Sequence, residues 1–292
     1  MKNLFICSAL LFSTTVCLAQ KSDRAVGKAI YEFIHIRDTA NRDKPYKETM
    51  TLILGRNASA YRSLTKQQQE EMMANQIANQ IKSAADPNHL SLTITSAGPV
   101  AKEEYYQYIN DKKLYTEDQV INYYIFEEPL PAIKWAIQKD TMSFGTLHAQ
   151  MATTHFKGRD YTAWFCTDLP FNNGPWKLNG LPGLILEASD SKKEVQFKFN
   201  SFEDISNLNQ SILPPADDIK TTPQDLARLK ETMIKDPMGF VKASNGGNAS
   251  RRGINSVMDS IDQSKVTSVN VVKSTSSNTS VNNNPIELPE KK

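Results

Sequence analysis

The sequence predicts a β-rich α+β domain built on a curved antiparallel sheet, half-barrel or bowl-like, with two helices and a disordered C-terminal tail. Three observations carry that expectation. Short segments that alternate apolar and polar residues recur from Ile30 to Asn200; the cleanest sets Val195, Phe197 and Phe199 against Gln196, Lys198 and Asn200. Compact turn signals such as Gly55-Arg56-Asn57 and Asn110-Asp111 link them, too short for the crossovers of a parallel sheet. Two stretches show helical periodicity between clear start and stop signals.

Residues 1–19 read as an export signal. Lys2 supplies the positive start, Leu4 to Phe12 the apolar run, and Cys17-Leu18-Ala19 the small residues before a cut at Gln20. The run is too short for a spanning helix, and the mature chain shows no transmembrane segment. Val16 stands where a lipoprotein signal needs a small residue, so the expected product is periplasmic or secreted, and soluble rather than lipid-anchored. The cut removes Cys7 and Cys17 and leaves Cys166 alone, which rules out an intramolecular disulfide. A net charge of +2 over 292 residues gives no reason to expect nucleic acid or an anionic membrane surface as partner.

The domain is expected over residues 20–243. Strands are predicted at Ile30–Arg37, Met50–Leu54, Ser59–Ser63, His89–Thr95, Glu104–Ile109, Lys113–Tyr115, Val120–Phe126, Ile133–Ile137, His148–Phe156, Tyr161–Cys166, Leu184–Ala188 and Val195–Phe199. A first helix opens at a capping box of Thr65 with Gln68, aligns Met73, Ile77, Ile81 and Ala85 on one face, and stops at Asp86-Pro87. A second opens at Thr222-Pro223, buries Leu226, Leu229 and Met233, and stops at Asp236-Pro237. Residues 244–292 contain no aromatic residue and are rich in Ser and Asn. They read as a low-complexity, mostly disordered tail whose deletion would cost little stability.

Residues Phe165 to Glu187 hold a dense set of turn signals, Asn173-Gly174, Asn179-Gly180 and Leu181-Pro182-Gly183-Leu184, that run into an apolar strand. Pro182 followed by Gly183 predicts a type II turn with Gly183 at positive φ, fixing the register of the strand from Leu184. In that register Leu184, Leu186 and Ala188 face the core.

The hexapeptide Gly180-Leu181-Pro182-Gly183-Leu184-Ile185 carries a resemblance. So do His155 to Trp164 (HFKGRDYTAW), Gly174-Pro175-Trp176-Lys177, and Asn284-Pro285-Ile286-Glu287-Leu288 near the C-terminus. Together they resemble the GLPGLI family of secreted Bacteroidetes proteins. The likeness is dense over residues 130–200; Ala149 departs from it where family members often carry Cys. The resemblance implies an exported protein in an envelope setting, with an envelope or outer-membrane protein, such as import machinery, as the kind of partner. It implies no activity.

No motif for a cofactor is present: there is no P-loop, GxGxxG, GxSxG, CxxC or HExxH. Four histidines follow the signal, and His148 and His155 point to opposite faces of one strand, so no metal site is expected. Cys166 reads first as a buried small residue; paired with His155 across neighbouring strands it would be a nucleophile. Arg159, Tyr161, Trp164, Trp176 and Lys177 form an aromatic-basic cluster that either packs the core or binds a ligand. Three functions therefore stand: an exported, non-enzymatic binding or accessory module, a periplasmic carrier of an apolar ligand, and a hydrolase using Cys166 with His155.

Overall fold

The computed structural model describes residues 23–96, 98–237, 239–240, 262–273 and 281–290. The expected export signal and the expected domain boundary at residue 243 lie outside them. The strands are β1 (Asp23–Arg24), β2 (Gly27–His35), β3 (Tyr46–Leu54), β4 (Ala58–Ser63), β5 (Leu90–Ser96), β6 (Glu103–Tyr108), β7 (Lys113–Gln119) and β8 (Tyr123–Pro129). They continue with β9 (Ala136–Phe144), β10 (Leu147–Phe156), β11 (Arg159–Cys166), β12 (Leu184–Asp190), β13 (Val195–Asp204), β14 (Ser211–Ile212), β15 (Ile219–Lys220) and β16 (Val266–Lys273). The named α-helices among the described residues are α1 (Leu64–Ser83) and α2 (Pro223–Lys235).

Twelve strands form one open sheet in the order β15-β8-β7-β6-β4-β3-β2-β13-β12-β11-β10-β9. The fold class is as the sequence predicts, with one amendment. The sheet is mixed, because β15 joins its edge parallel to β8, and β16 pairs parallel with β5 in a separate two-stranded sheet. These pairs correct the expectation of a purely antiparallel arrangement: their connections run through long stretches of the chain and not through the short turns.

The sheet curls. From β6 to β11 there are six strand spacings, roughly 29 Å on a flat sheet at about 4.8 Å each. Yet Trp176 accepts a hydrogen bond on its carbonyl from Gln107 of β6, while its ring packs on Tyr161 of β11 and stacks on Phe197 of β13. One residue reaches all three because the sheet wraps around it. Phe33, Met50, Leu52, Tyr61, Tyr161, Leu184, Leu186 and Phe197 form the main core around this residue.

Both helices lie where periodicity put them. Ser63, rather than Thr65, caps α1, its hydroxyl accepting from the Lys66 N–H, while the Thr65 hydroxyl accepts from the N–H of Thr49 on β3. Ile77 and its neighbours Met73 and Ile81 pack on Leu92 and Ile94 of β5. On α2 the Thr222 cap, Pro223 and the Leu226-Leu229-Met233 stripe are as expected.

The Gly180–Ile185 stretch works differently from a type II turn. Gly180 has the positive φ, +92°, and Gly183 is not among the residues with positive φ. Gly183 is demanded by proximity: a Cβ there would sit 2.6 Å from the carbonyl carbon of Cys166 and 2.9 Å from the Thr167 nitrogen. The backbone at the start of β12 thus presses directly on the end of β11. Leu184, Leu186 and Ala188 are buried and Glu187 half-buried as expected, but the single register expected for β12 does not run through the strand: Phe165 pairs with Ile185 and Cys166 with Leu184. Ile185 is buried too, because a bulge opposite Trp164 and Phe165 breaks the alternation.

Gly183→Ala is therefore expected to cost about 2–3 kcal/mol through overpacking. Gly180→Ala, which meets open space, should cost only about 1 kcal/mol for its backbone angle. Urea denaturation of the two variants checks this, and the reverse order would make the backbone angle the motif's purpose.

Candidate functional site

The ends of β2, β11, β12 and β13 converge, and Arg159, the first residue of β11, lies buried among them. Every N–H of its guanidinium is used. Nη1 donates to Asp190 at 2.8 Å and Glu194 at 3.2 Å, Nη2 to Asn284 Oδ1 and the Pro285 carbonyl at 2.7 Å each, and Nε to the Ile286 carbonyl at 2.8 Å. Asp190 in turn accepts from the N–H groups of Glu194 and Val195, closing the β12–β13 turn. Burial alone would raise the Glu194 carboxyl, but Arg42 and Arg159 hold it below its ordinary value.

Arg159 therefore holds a strap, residues 281–290, against the body. Asn284 is read on each polar atom of its side chain: besides Arg159, its amide donates to the Ile36 carbonyl at 2.8 Å and to Glu194 at 3.2 Å. Its own carbonyl accepts from His35 Nε2 at 2.7 Å. Glu287 pairs with Lys177 and Lys157, which together hold its carboxyl low despite burial. Glu290 meets His155 and the Gly158 N–H. Gly158, at φ +72°, is fixed by the strap as well as by its turn, since a Cβ would lie 2.6 Å from the Leu288 carbonyl oxygen.

The expected tail thus divides. Residues 262–273 include a strand, 281–290 dock on the body, and the rest of 244–292 lie outside the described residues. In residues 281–290 these contacts depart from the disorder expected of the tail. Composition pointed the wrong way because the strap is held by polar readout rather than by apolar burial.

Beside the strap, the concave face of the sheet encloses a cavity of about 670 Å³. Phe33, Met50, Tyr61, Tyr105, Trp176 and Phe197 line it from the sheet side, Met233 and Ile234 from α2, and Pro285 and Ile286 from the strap. Phe33 stacks on Phe197 at 5.2 Å. Tyr61 has a buried hydroxyl with no hydrogen-bond partner among the described residues. At the mouth, Lys230 pairs with Asp118 and Glu103. Arg37 instead lies over the Tyr46 ring, 3.3 Å from its centroid, and has no ion pair among the described residues.

The predicted aromatic-basic cluster is partly assembled. Tyr161 and Trp176 are buried core, Trp164 packs against that core, and Arg159 and Lys177 grip the strap. The proposed pairing of Cys166 with His155 is not formed. His155 faces Asp160 across the β10–β11 pair, and Cys166 lies six residues further along β11, about 20 Å at 3.3 Å per residue. His155 is exposed and bound to Asp160 and Glu290, which raise its pKa, whereas Cys166 is fully buried. The two cannot exchange a proton. Sequence reasoning missed His35, Arg37 and Asn284; the Asn284-Pro285-Ile286-Glu287-Leu288 motif was the available signal for the last. Among the described residues no cluster of His, Cys, Asp and Glu could hold a metal ion, and no helix is long and apolar enough to cross a membrane.

A family whose description reads "Protein of unknown function (Porph_ging)" matches residues 46–187. No curated protein matches the chain. Among solved structures, two crystal forms of PNGF-II are similar: in space group P21 with a TM-score of 0.47 and 9% identity, in C2 with 0.46 and 10%. In both, the likeness covers 73% of this chain and 33% of PNGF-II, so this chain corresponds to about a third of that protein's length.

Two outcomes follow. Burial, with Arg37 and Arg159 adding to it, drives His35 down to about 4 from 6.5, against the opposing hydrogen bond to Asn284. The unfolded chain thus takes up this proton near pH 6.5 and the folded chain resists it until about 4. The stability due to neutral His35 is complete above pH 6.5 and is lost as pH falls through 4. Urea denaturation should show a fall of roughly 2–3 kcal/mol between about pH 7 and pH 4.5. His35→Gln should flatten the slope, and an unchanged slope would assign the proton elsewhere. Deleting residues 281–292 strips Arg159 of three acceptors. A calorimetric scan should show a melting temperature lower by about 5–10 °C.

Proposed function

We propose that this is an exported, non-enzymatic binding module of the cell envelope, and that its ligand occupies the cavity on the concave face. The ligand is an apolar molecule with one anionic end. The cavity carries the reading: its volume of about 670 Å³ lies within the usual range for small-molecule sites, and its wall is largely aromatic and aliphatic. Arg37, at the mouth and without an ion pair, supplies the partner for an anionic group. Export rests on residues 1–19, and an envelope partner rests on the family resemblance. The separation of His155 from Cys166 weighs against the hydrolase alternative.

The test is a fluorescence titration, with Trp176 in the cavity wall as reporter. Decanoate should shift the emission saturably and bind at least about tenfold more tightly than decanol, the worth of one charge-assisted contact of about 1.5–3 kcal/mol. Arg37→Gln should abolish that preference while leaving decanol unaffected, and Ala101→Phe, which fills space in the cavity wall, should weaken both. No response to either compound would overturn the cavity reading. Equal binding of the two by the wild-type chain would overturn the anionic end.

A further inference from the structure

We infer that the surface around Arg159 is a peptide-recognition site for an extended Asn-Pro-Ile-Glu segment, and that residues 281–290 are its resident occupant. Another chain carrying the same segment can bind in its place. The site does not depend on the cavity having a small-molecule ligand.

Residues 281–290 form no helix or strand of their own. A segment that merely covered a hydrophobic opening would need apolar contact and little else. This one is read side chain by side chain. Asn284, 5% exposed, has its oxygen bound by Arg159 and its amide bound by the Ile36 carbonyl and Glu194. Aspartate is nearly the same shape, but it would turn an acceptor toward two acceptors. The site therefore distinguishes two side chains that differ by one NH2 group.

Backbone readout continues the register. His35 and Arg159 take three successive carbonyls, those of Asn284, Pro285 and Ile286. Pro285 has no N–H to leave unsatisfied, and its fixed φ keeps the segment extended at low entropic cost. Ile286 then packs against the main core, and Glu287 reaches Lys177 at 2.7 Å and Lys157 at 3.0 Å. Polar readout, an apolar anchor and a charge clamp follow one another along four residues, as they do when a protein binds a peptide.

Contacts of this kind do not depend on the strap's covalent tie to the body. The tie supplies a local concentration, commonly about millimolar for a short link, and nothing else in the recognition. The same peptide offered from outside must meet the same groups, in competition with the resident strap.

The experiment uses the full chain and a fluorescein-labelled peptide of residues 281–292, followed by polarisation. In Asn284→Asp the strap is weakened while the site is intact, so the peptide should bind saturably, at least about tenfold more tightly than to the wild type, whose strap competes. Ile286→Ala, which changes no charge, should give the same gain. A peptide with Asp at the position of Asn284 should bind either variant at least about tenfold more weakly. Circular dichroism confirms that the variants are folded. The wild-type chain gives a second readout: excess unlabelled peptide should accelerate hydrogen exchange at the Asn283 and Leu288 amides, which donate to the Arg37 and Lys157 carbonyls. The proposal fails if the peptide binds neither folded variant, if the Asn and Asp peptides bind alike, or if wild type and variants bind alike. Unchanged exchange in the wild type at saturating peptide would overturn it even if neither variant folds. The peptide is followed by its own label and the cavity by tryptophan, so failure of one reading is separable from failure of the other.

Discussion

A buried arginine organises one end of this molecule. Removing a guanidinium from water is costly, and the cost is offset only where every N–H finds an acceptor and the charge finds a counterion. Around Arg159 the counterions come from the β12–β13 turn, as Asp190 and Glu194, and the neutral acceptors come from the strap. Neither group is adequate alone. The carboxylates leave three N–H groups without partners, and the strap's carbonyls bring no compensating charge. The β10–β11 turn, the β12–β13 turn, the end of β2 and the C-terminal segment are therefore coupled through one side chain. A change in any of them reaches the others.

That coupling explains why the chain's distinctive short motifs are far apart in sequence yet close in space. Gly158 and Arg159 provide the turn and the donor, Lys177 the second cation, and Asn284 to Leu288 the acceptors. Trp176 gives the arrangement its depth. It sits at φ +56°, an unusual backbone angle for a large residue. Its ring is held by Phe156, Tyr161 and Phe197, and its carbonyl by Gln107. The loop that carries it is pinned from several sides, with Asn173 bound to Ser59 and Asn179 to the Pro131 carbonyl.

Local patterns in the sequence locate both helices and most strands of the large sheet, but the strand expected at Ile133–Ile137 lies at Ala136–Phe144, and β1, β14, β15 and β16 carry no such pattern. Alternation at Val195–Phe199 and the stripe of Leu226, Leu229 and Met233 each depend on one element meeting one core. The failures share a cause. In the sequence Gly183 signals a backbone angle, but its constraint comes from Cys166 on the neighbouring strand. Thr65 has the pattern of a cap, but β3 takes its hydroxyl. Composition counts apolar residues and is blind to a strap whose acceptors wait for a buried donor far away in the chain. His155 and Cys166 are both on the β10–β11 pair, and only the register shows that they lie at opposite ends of it. Constraints that arise between elements are invisible to a reading that takes elements singly.

The order of these pieces along the chain has a consequence for how the molecule is made. A polypeptide that has emerged as far as β13 already holds every strand of the large sheet except β15. The sheet can condense while Arg159 still faces water, and a solvated arginine costs nothing. The contact between His35 and Asn284 closes over 249 residues of sequence, and the entropy of closing a loop rises only slowly once the loop is long. Delay is therefore cheap, and the last segment can arrive on a surface that is already formed. The strap is thus a tethered segment whose docking completes the hydrogen bonds of Arg159 and one wall of the cavity.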